Sequence, residues 1–269
     1  MTAQRIEPLV APVLELARRA GALILDVYRQ PIDVVTKADA SPLTIADLRS
    51  HEAIVTGLSA LEPKLPILSE ESADVPFATR SGWSAYWLVD PLDGTKEFLK
   101  RNDEFTVNIA LIAGHAPVFG VVYVPAQDTL YWGGASLGAF RRVGAGQVEP
   151  IHVREPAPAS LRIVGSRSHG SDALSAALPR LGPHELVQLG SSLKFCTIAA
   201  GQADVYPRFG PTSEWDTAAA QAVVEGAGGA VLDDTGRALS YNTKDSLLNP
   251  YFVAFGDRSR DWARLLLQP

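Results

Sequence analysis

The chain has 269 residues, of which 46% are hydrophobic, and its formal net charge is −6. This length provides enough apolar material for one large domain or for two closely packed halves. Lysine and arginine form no dense run, which argues against a protein that coats nucleic acid, since such proteins carry a basic face.

Cysteine usage and hydropathy indicate the cellular compartment. Cys196 is the single cysteine, so no internal disulfide can form and a reducing compartment is expected. No uncharged apolar run reaches the roughly 18 residues of a membrane span, and the N-terminal residues lack the basic-then-apolar order of a signal peptide. We therefore expect a cytoplasmic protein without a transmembrane segment, and peripheral association with a membrane surface is left open.

The first predicted elements are helices and strands joined by polar loops. In chain order they are an amphipathic helix at residues 8–28, a polar loop at 36–42, a helix at 44–58, a strand at 64–69, a surface loop at 72–82 and a buried strand at 86–90. Apolar residues at helical spacing indicate the first helix. Thr44 is a good N-cap for the second.

The middle of the chain predicts an antiparallel meander. Short β-prone runs separated by turn residues lie at 106–112, 118–124, 129–132 and 139–142, with a further short strand within 148–152. After a boundary near residues 154–160, strands at 162–164, 185–189, 203–206, 230–232 and 251–255 alternate with helices at 172–178, 193–200, 217–225 and 258–267. This alternation predicts a mixed α/β layer. We therefore expect an α+β part at residues 1–155 and an α/β part at residues 156–269.

Residues 90–95, with the sequence DPLDGT, carry the strongest chemical signal. Asp90 and Asp93 follow a predicted buried strand, and two clustered carboxylates repel each other unless a cation lies between them. Oxygen ligands without a thiolate or imidazole beside them suit magnesium or manganese. Gly94 and Thr95 then open a helix whose free N–H groups would face a phosphate. The same residue types also form plain turns, so the motif alone leaves both interpretations open.

Further acidic side chains lie at a predicted strand end or helix start, where α/β proteins place their sites. They are Asp47, Glu70, Glu71 and Asp216. Together with residues 90–95 and the segment WDTAA at 215–219, they occur in an order that resembles the lithium-sensitive, magnesium-dependent phosphatase superfamily, which includes inositol monophosphatase. This order raises the metal interpretation well above the turn interpretation.

Five finer segments resemble the bacterial 3′(2′),5′-bisphosphate nucleotidases within that superfamily. They are DGTKEF at 93–98, EFTVN at 104–108, SRSH at 166–169, GSSLKFC at 190–196 and LNP at 248–250. The resemblance extends from the first helix to the last strand, and it implies a layered αβαβα sandwich of the sugar-phosphatase type. One departure is Asn102-Asp103-Glu104, where the nucleotidase pattern often has Asn-Gly-Glu. Because glycine there suggests a positive φ, which aspartate tolerates well, we expect a slightly altered loop and an intact site.

The resemblance also implies roles for individual residues. Two or three Mg²⁺ ions, for which Mn²⁺ substitutes, would be held by the metal ligands Glu70, Asp90, Asp93, Asp216 and the carbonyl of Leu92. Asp47 and Thr95 would orient or deprotonate the attacking water. The implied substrate contacts are Gly94, Thr95, Ser166, Arg167, His169, Gly190, Ser191, Ser192, Lys194 and Glu214. The alternative roles from the residues alone are a partner of the helix dipole for Asp47, a helix cap for Thr95 and a solvated charge for Lys194.

The implied function is hydrolysis of the 3′-phosphate of adenosine 3′,5′-bisphosphate, with 3′-phosphoadenylyl sulfate as a further substrate. The partner is therefore a small phosphorylated nucleotide and not a nucleic-acid polymer, and a homodimer is compatible with the resemblance. An inositol monophosphatase or other sugar phosphatase on the same scaffold is the first alternative. A non-catalytic sensor of bisphosphate nucleotides is the second, although such a sensor is expected to have lost a ligand or the Thr95–Asp47 pair.

Overall fold

The structure is a computed structural model that describes residues 3–29, 34–36, 42–167 and 172–267. The helices are α1 (Ala3–Tyr28), α2 (Ile45–Ala60), α3 (Phe77–Arg80), α4 (Thr95–Lys100), α5 (Asp172–Ala177), α6 (Leu193–Ala199), α7 (Glu214–Gly226) and α8 (Trp262–Leu266). Short 3₁₀ turns lie at Glu70–Ser72, Pro125–Gln127 and Leu178–Leu181.

The strands of the described residues form one hairpin and two sheets. The hairpin pairs β1 (Val34–Thr36) with β2 (Pro42–Thr44). The larger sheet contains β3 (Ile67–Ser69), β4 (Ala85–Asp93), β5 (Thr106–Ala113), β6 (Ala116–Val124), β7 (Thr129–Gly134), β8 (Gly138–Val143) and β9 (Glu149–Pro150), in that spatial order. The smaller sheet contains β10 (Leu161–Ser166), β11 (His184–Leu189), β12 (Val205–Arg208), β13 (Ala230–Asp233) and β14 (Phe252–Phe255), in the order β11-β10-β12-β14-β13.

The sheets differ in strand direction. The larger sheet is antiparallel except where β3 runs parallel to β4. In the smaller sheet, β10 is parallel to β11 and β12, whereas β14 pairs antiparallel with β12 and β13. The predicted meander is therefore confirmed, and the second half is a mixed sheet as its alternating pattern indicated.

Three apolar clusters show how the layers stack. On β4, Trp87 and Val89 pack with α1 and α2, whereas Tyr86 and Leu88 face α6 and α7. Successive side chains of a strand point to opposite faces, so this sheet is buried on both faces and its strands are continuously apolar. A third cluster joins the smaller sheet to α8. The layers are thus helix, sheet, helix, sheet, helix, which confirms the predicted αβαβα sandwich.

Helix α7 crosses the larger sheet at very short range. A Cβ atom at Gly120 of β6 would lie 2.1 Å from the carbonyl oxygen of Ala219 in α7. Only glycine permits this approach of two backbones. Because α7 belongs to the second half of the sequence but packs on the sheet of the first, the division at residue 155 stays a prediction.

Two predictions about local structure were wrong. Residues 72–82 are not only a surface loop, because they contain α3, and Arg80 is 2% exposed. Its guanidinium donates hydrogen bonds to Oδ1 of Asn242 and to the carbonyl oxygens of Lys244 and Asp245. The last helix begins at Trp262 rather than at residue 258, with Asp261 as its N-cap accepting a hydrogen bond from the Arg264 N–H. Both differences depend on polar contacts, those of Arg80 and of the Asp261 cap, which the spacing of hydrophobic residues does not predict.

Candidate active site

A bulge at the end of β4 brings Asp90 and Asp93 to the same side of the chain. In a regular strand, residues three apart point to opposite faces. Here the pairing with β5 shifts between Asp90, which lies opposite Asn108, and Asp93, which lies opposite Thr106. Pro91 cannot donate to the ladder, and a bulge redirects the side chains that follow it. The Leu92 N–H donates a hydrogen bond to Oδ1 of Asp90 at 3.0 Å, which helps to fix this geometry.

Helix α7 brings the third carboxylate from the other half of the sequence. Asp216 lies in its first turn and closes a capping box with Ser213, whose N–H donates to Oδ2 of Asp216 at 3.0 Å. Oxygen atoms of Asp90, Asp93 and Asp216 all lie within 4.8 Å of one another. The structure therefore brings together three of the five predicted metal ligands.

The electrostatics of this cluster oppose full ionisation without a cation. Burial raises the pKa of Asp90 well above its ordinary value, and the charges of Glu70, Asp93 and Asp216 add to this effect. Burial likewise raises the pKa of Asp216 to about 8. Burial raises the pKa of Asp93 too, although the nearby Lys194 acts in the opposite direction. A hard divalent cation relieves such repulsion.

The remaining predicted metal and catalytic residues surround this cluster. Glu70 opens the 3₁₀ turn after β3, and its charge raises the pKa of both Asp90 and Asp216. Asp47 lies in the first turn of α2 and is 2% exposed. Its charge contributes to the raised pKa of Asp90. Leu92 has a buried side chain within β4, so only its backbone would serve a cation.

Helix α2 is anchored to both acidic segments. Ser50 Oγ donates to the carbonyl oxygen of Pro91 at 2.7 Å, inside the DPLDGT segment. His51 Nδ1 hydrogen-bonds with Ser69 Oγ at 2.9 Å, next to Glu70. Asp47 lies on this same helix, so the two contacts also fix its position relative to both segments.

Gly94 adopts a backbone conformation that favours glycine. Its φ is 91°, and a Cβ atom there would lie 3.2 Å from both the Glu104 carbonyl oxygen and Ser191 Cβ. Thr95 follows as the first residue of α4, as the sequence predicted. Asp103, where the nucleotidase pattern often has glycine, has a φ of 64°, which confirms the positive φ expected there. Tyr28 donates its hydroxyl hydrogen bond to that carboxylate at 2.8 Å.

A cavity of about 280 Å³ opens at these residues. The cavity has four carboxylates, of which we call Glu70, Asp93 and Asp216 the acidic lining; the fourth is Glu97. We call its cations the basic lining, namely Lys96, Lys194 and Arg208. The predicted substrate contacts that line it are Gly94, Thr95, Ser166, Gly190, Ser191 and Lys194. Their convergence on one cavity supports a substrate site there.

Lys194 is the most buried member of the basic lining. Its Nζ donates to the Ser191 carbonyl oxygen at 2.6 Å and lies 5.4 Å from the centre of the Tyr206 ring. Burial lowers the pKa of Lys194 to about 8, while the charge of Asp93 acts in the opposite direction. The interpretation as a solvated surface charge is therefore wrong, because the side chain is enclosed.

Three predicted substrate contacts among the described residues do not line the cavity. Arg167 forms a bidentate ion pair with Glu104, with nitrogen–oxygen distances of 2.9 and 2.7 Å. Ser192 is turned toward Asp93. Glu214 is fully buried, and its Oε2 accepts from the Asn242 N–H at 2.8 Å. These positions favour support of the site over contact with substrate. The prediction for His169 lies outside the described residues.

Several residues of the site were not among the predicted site residues. The cavity is also lined by Lys96, Glu97, Tyr206, Arg208 and Thr212. The signal for Lys96 and Glu97 was their position directly after the DPLDGT segment. Thr106 and Asn108 lie beside Asp93, and the signal for them was two polar residues at alternate positions of an apolar strand.

The layered fold, the carboxylate cluster and the cavity define a phosphatase of the sugar-phosphatase class. The sequence profile of the inositol monophosphatase family matches residues 5–263, and the chain belongs to this family. The family is metal-dependent, and the oxygen cluster of Asp90, Asp93 and Asp216 fits a hard cation.

Individual relatives give a finer comparison. The chain is 50% identical over 243 residues to the 3′(2′),5′-bisphosphate nucleotidase CysQ of Escherichia coli (strain K12), covering 89% of this chain and 96% of that protein. Identity to CysQ of Haemophilus influenzae (strain Rd) is 37% over 261 residues, with 95% and 96% covered.

Solved structures agree with the fold. CysQ from Bacteroides thetaiotaomicron, a bacterial member of the inositol monophosphatase family, superimposes with a TM-score of 0.80 at 42% identity, covering 91% of this chain and 96% of that one. An inositol monophosphatase from Anabaena sp. PCC 7120 gives a TM-score of 0.77 at 26% identity, covering 98% and 97%. Among the helices in the described segments, none combines the length and hydropathy that crossing a bilayer requires.

Proposed function

We propose that this chain is a metal-dependent 3′(2′),5′-bisphosphate nucleotidase that removes the 3′-phosphate of adenosine 3′,5′-bisphosphate, giving AMP and phosphate. The observation that carries the proposal is one cavity with both an acidic and a basic lining. A bisphosphate offers one phosphate to a cation held by the carboxylates and a second to the basic lining. The sequence identity of this chain to the CysQ nucleotidases supports the same substrate class.

The acidic residues would hold Mg²⁺, and Mn²⁺ is expected to substitute. Glu70, Asp90 and the Leu92 carbonyl oxygen would hold one ion, and Asp90, Asp93 and Asp216 a second. When bound, such ions would neutralise phosphate charge and lower the pKa of a bound water molecule below that of bulk water. Inhibition by Li⁺ is expected from the family resemblance.

The chain's own residues position the reactants. Asp47 and Thr95 orient the water and the Asp47 carboxylate takes up its proton, while the Gly94 and Thr95 N–H groups bind the phosphate. The water oxygen forms a new bond to phosphorus as the bond from phosphorus to the ribose 3′-oxygen breaks. The leaving oxygen takes a proton from solvent water and departs as the 3′-hydroxyl of AMP.

The basic lining accounts for the substrate preference. Lys194 binds the phosphate that is not hydrolysed, since its ammonium is enclosed in the same cavity. Ser166 and Ser191 offer hydroxyl groups to the nucleotide from the same lining. The sulfated nucleotide 3′-phosphoadenylyl sulfate presents similar anionic groups, so we include it as a substrate and place the enzyme in sulfur assimilation in the cytoplasm. A homodimer is compatible with this proposal.

Parallel kinetics test the substrate. With Mg²⁺ saturating, we expect kcat/KM for adenosine 3′,5′-bisphosphate to exceed that for inositol-1-phosphate by at least about tenfold, because a charge-assisted hydrogen bond contributes about 1.5–3 kcal/mol. A preference for the inositol ester would instead support the sugar-phosphatase alternative, which the CysQ relatives do not favour. Binding of the nucleotide without phosphate release from any ester would support the sensor.

A further inference from the structure

The Asp93 carboxylate is held by donors that converge on one of its two oxygens. The Ser192 N–H donates to Oδ2 at 2.6 Å, and the Ser192 hydroxyl lies 2.9 Å from the same atom. Thr106 Oγ1 and Asn108 Nδ2 approach it at 3.4 Å each. Two donors from one residue therefore fix the rotation of this carboxylate, and Oδ1 is the oxygen that is left for a cation.

The Ser192 hydroxyl also reaches the helix that carries Asp216. Its Oγ lies 2.7 Å from the Asp216 carbonyl oxygen, and it accepts a hydrogen bond from Asn108 Nδ2 at 2.9 Å. A hydroxyl has one proton to donate, so that proton is shared between Asp93 and the Asp216 carbonyl. In either arrangement the Ser192 backbone N–H stays on Asp93. Ser192 thus joins two acidic residues that lie 123 positions apart in the sequence.

Surrounding contacts hold Ser192 in this position. Ser192 is 1% exposed and precedes α6 in the turn at residues 190–192. At the other end of this turn, the Gly190 N–H donates to Glu104 Oε2 at 2.7 Å. Arg167 orients that carboxylate through its bidentate ion pair. The amide of Asn108 is oriented by Thr106, whose hydroxyl donates to Asn108 Oδ1 at 3.2 Å.

We propose that Ser192 is a positioning residue for the metal centre and not a substrate contact, an inference that rests on the proposed function. Its N–H and hydroxyl set the orientation of Asp93, and the hydroxyl fixes the distance from Asp93 to the start of α7. The neighbouring Ser191 has the other role. Its side chain lines the cavity, and its buried Oγ has no hydrogen-bond partner within the described residues.

Mn²⁺ binding to the substrate-free protein tests this inference, with titration followed by electron paramagnetic resonance. Residues that hydrogen-bond to metal ligands typically contribute 10- to 100-fold to metal affinity, so we expect Ser192→Ala to weaken Mn²⁺ binding by about that factor. Ser191→Ala is the matched control, because it removes the same atom from the same turn, and its Mn²⁺ affinity should equal that of the wild type. In kinetics, Ser192→Ala should raise the Mg²⁺ concentration needed for half-maximal rate, with kcat largely recovered at saturating Mg²⁺.

The outcomes separate this inference from the proposed function. A wild-type protein that binds no Mn²⁺ would overturn the metal-dependent function itself. A wild type that binds Mn²⁺ beside a Ser192→Ala variant that binds equally well would overturn the role of Ser192 alone. Metal-free melting of Ser192→Ala should show only the fall in Tm of several degrees expected from the loss of its buried hydrogen bonds, and a variant that is unfolded at the titration temperature would assign the residue to folding instead. Asn108→Ala, which removes the donor to Ser192 Oγ, should weaken Mn²⁺ binding in the same direction.

Discussion

The acidic and the basic lining of the cavity share the effect of burial but differ in the effect of their neighbouring charges. Burial opposes charge on both, so it raises the pKa of Asp216 to about 8 and lowers the pKa of Lys194 to about 8. The charges of Asp93 and Glu70 raise the pKa of Asp216 further, whereas the charge of Asp93 favours the protonated form of Lys194. The acidic lining therefore requires a bound cation to be fully ionised. The protonated form of Lys194 in the basic lining is instead stabilised by the negative charge of the acidic lining.

This difference separates reaction chemistry from substrate choice. In the proposed function, the acidic lining would contact only the phosphate that is hydrolysed and the ions beside it, so it would suit any phosphate ester of the family. The basic lining would contact the rest of the substrate, and we propose that it binds the second phosphate. Changes to the two linings should therefore affect different kinetic constants.

The largest effect is expected from Asp93→Asn, which breaks the acidic lining. The substitution removes a charged cation ligand while conserving volume, so kcat should fall by more than about 100-fold, beyond the usual effect of a residue that only supports a ligand. The measurement is phosphate release at several Mg²⁺ concentrations. Asp204→Asn is the control, because Asp204 is a buried carboxylate that pairs with Arg154 outside the cavity lining. Near-normal turnover by Asp93→Asn would contradict its assignment.

A smaller effect on a different constant is expected from Lys194→Met, which breaks the basic lining. Loss of one charged partner should raise KM for adenosine 3′,5′-bisphosphate by about tenfold or more, with kcat little changed. Lys100→Met is the control, because Lys100 is exposed at the end of α4. A uniform loss of kcat with unchanged KM would place Lys194 in the reaction chemistry instead.

The pH dependence of KM sharpens the same comparison. The pKa of Lys194 is about 8, so its ammonium is charged below this pH and loses its proton above it. KM for the bisphosphate should therefore rise as the pH increases through 8 in the wild type, and it should stay flatter in Lys194→Met. Parallel profiles for the two proteins would contradict the role of this charge.

The smallest expected effect is on stability. A ligand that binds only the folded state at 100 times its Kd stabilises it by about 2.7 kcal/mol, which corresponds to roughly 5–10 °C in Tm for a chain of this size. Mg²⁺ should produce this shift in calorimetry, and Asp93→Asn should reduce it more than Lys194→Met does. Equal shifts in the two variants would mean that the two linings do not differ in cation binding.

Local patterns predicted much of the fold and the outline of the site. Apolar periodicity predicted α1, α2 and the meander, because helices and strands bury side chains at characteristic spacings. The DPLDGT segment indicated both a carboxylate pair and the start of α4, and Asp103 adopts the positive φ expected of it. Arg80 escaped prediction, because its buried partners near residue 242 are 162 positions away in the sequence.

The sequence by itself determined which residue types enter the site, since motif order and strand or helix ends place Asp90, Asp93 and Asp216 in plausible positions. Only the tertiary structure decided which polar groups support them. Arg167 pairs with Glu104 across 63 positions, and Ser192 meets Asp93 across 99. The spacing of residues along the sequence predicts contacts within one helix or strand. Pairs such as these depend instead on how the two sheets and α7 pack together.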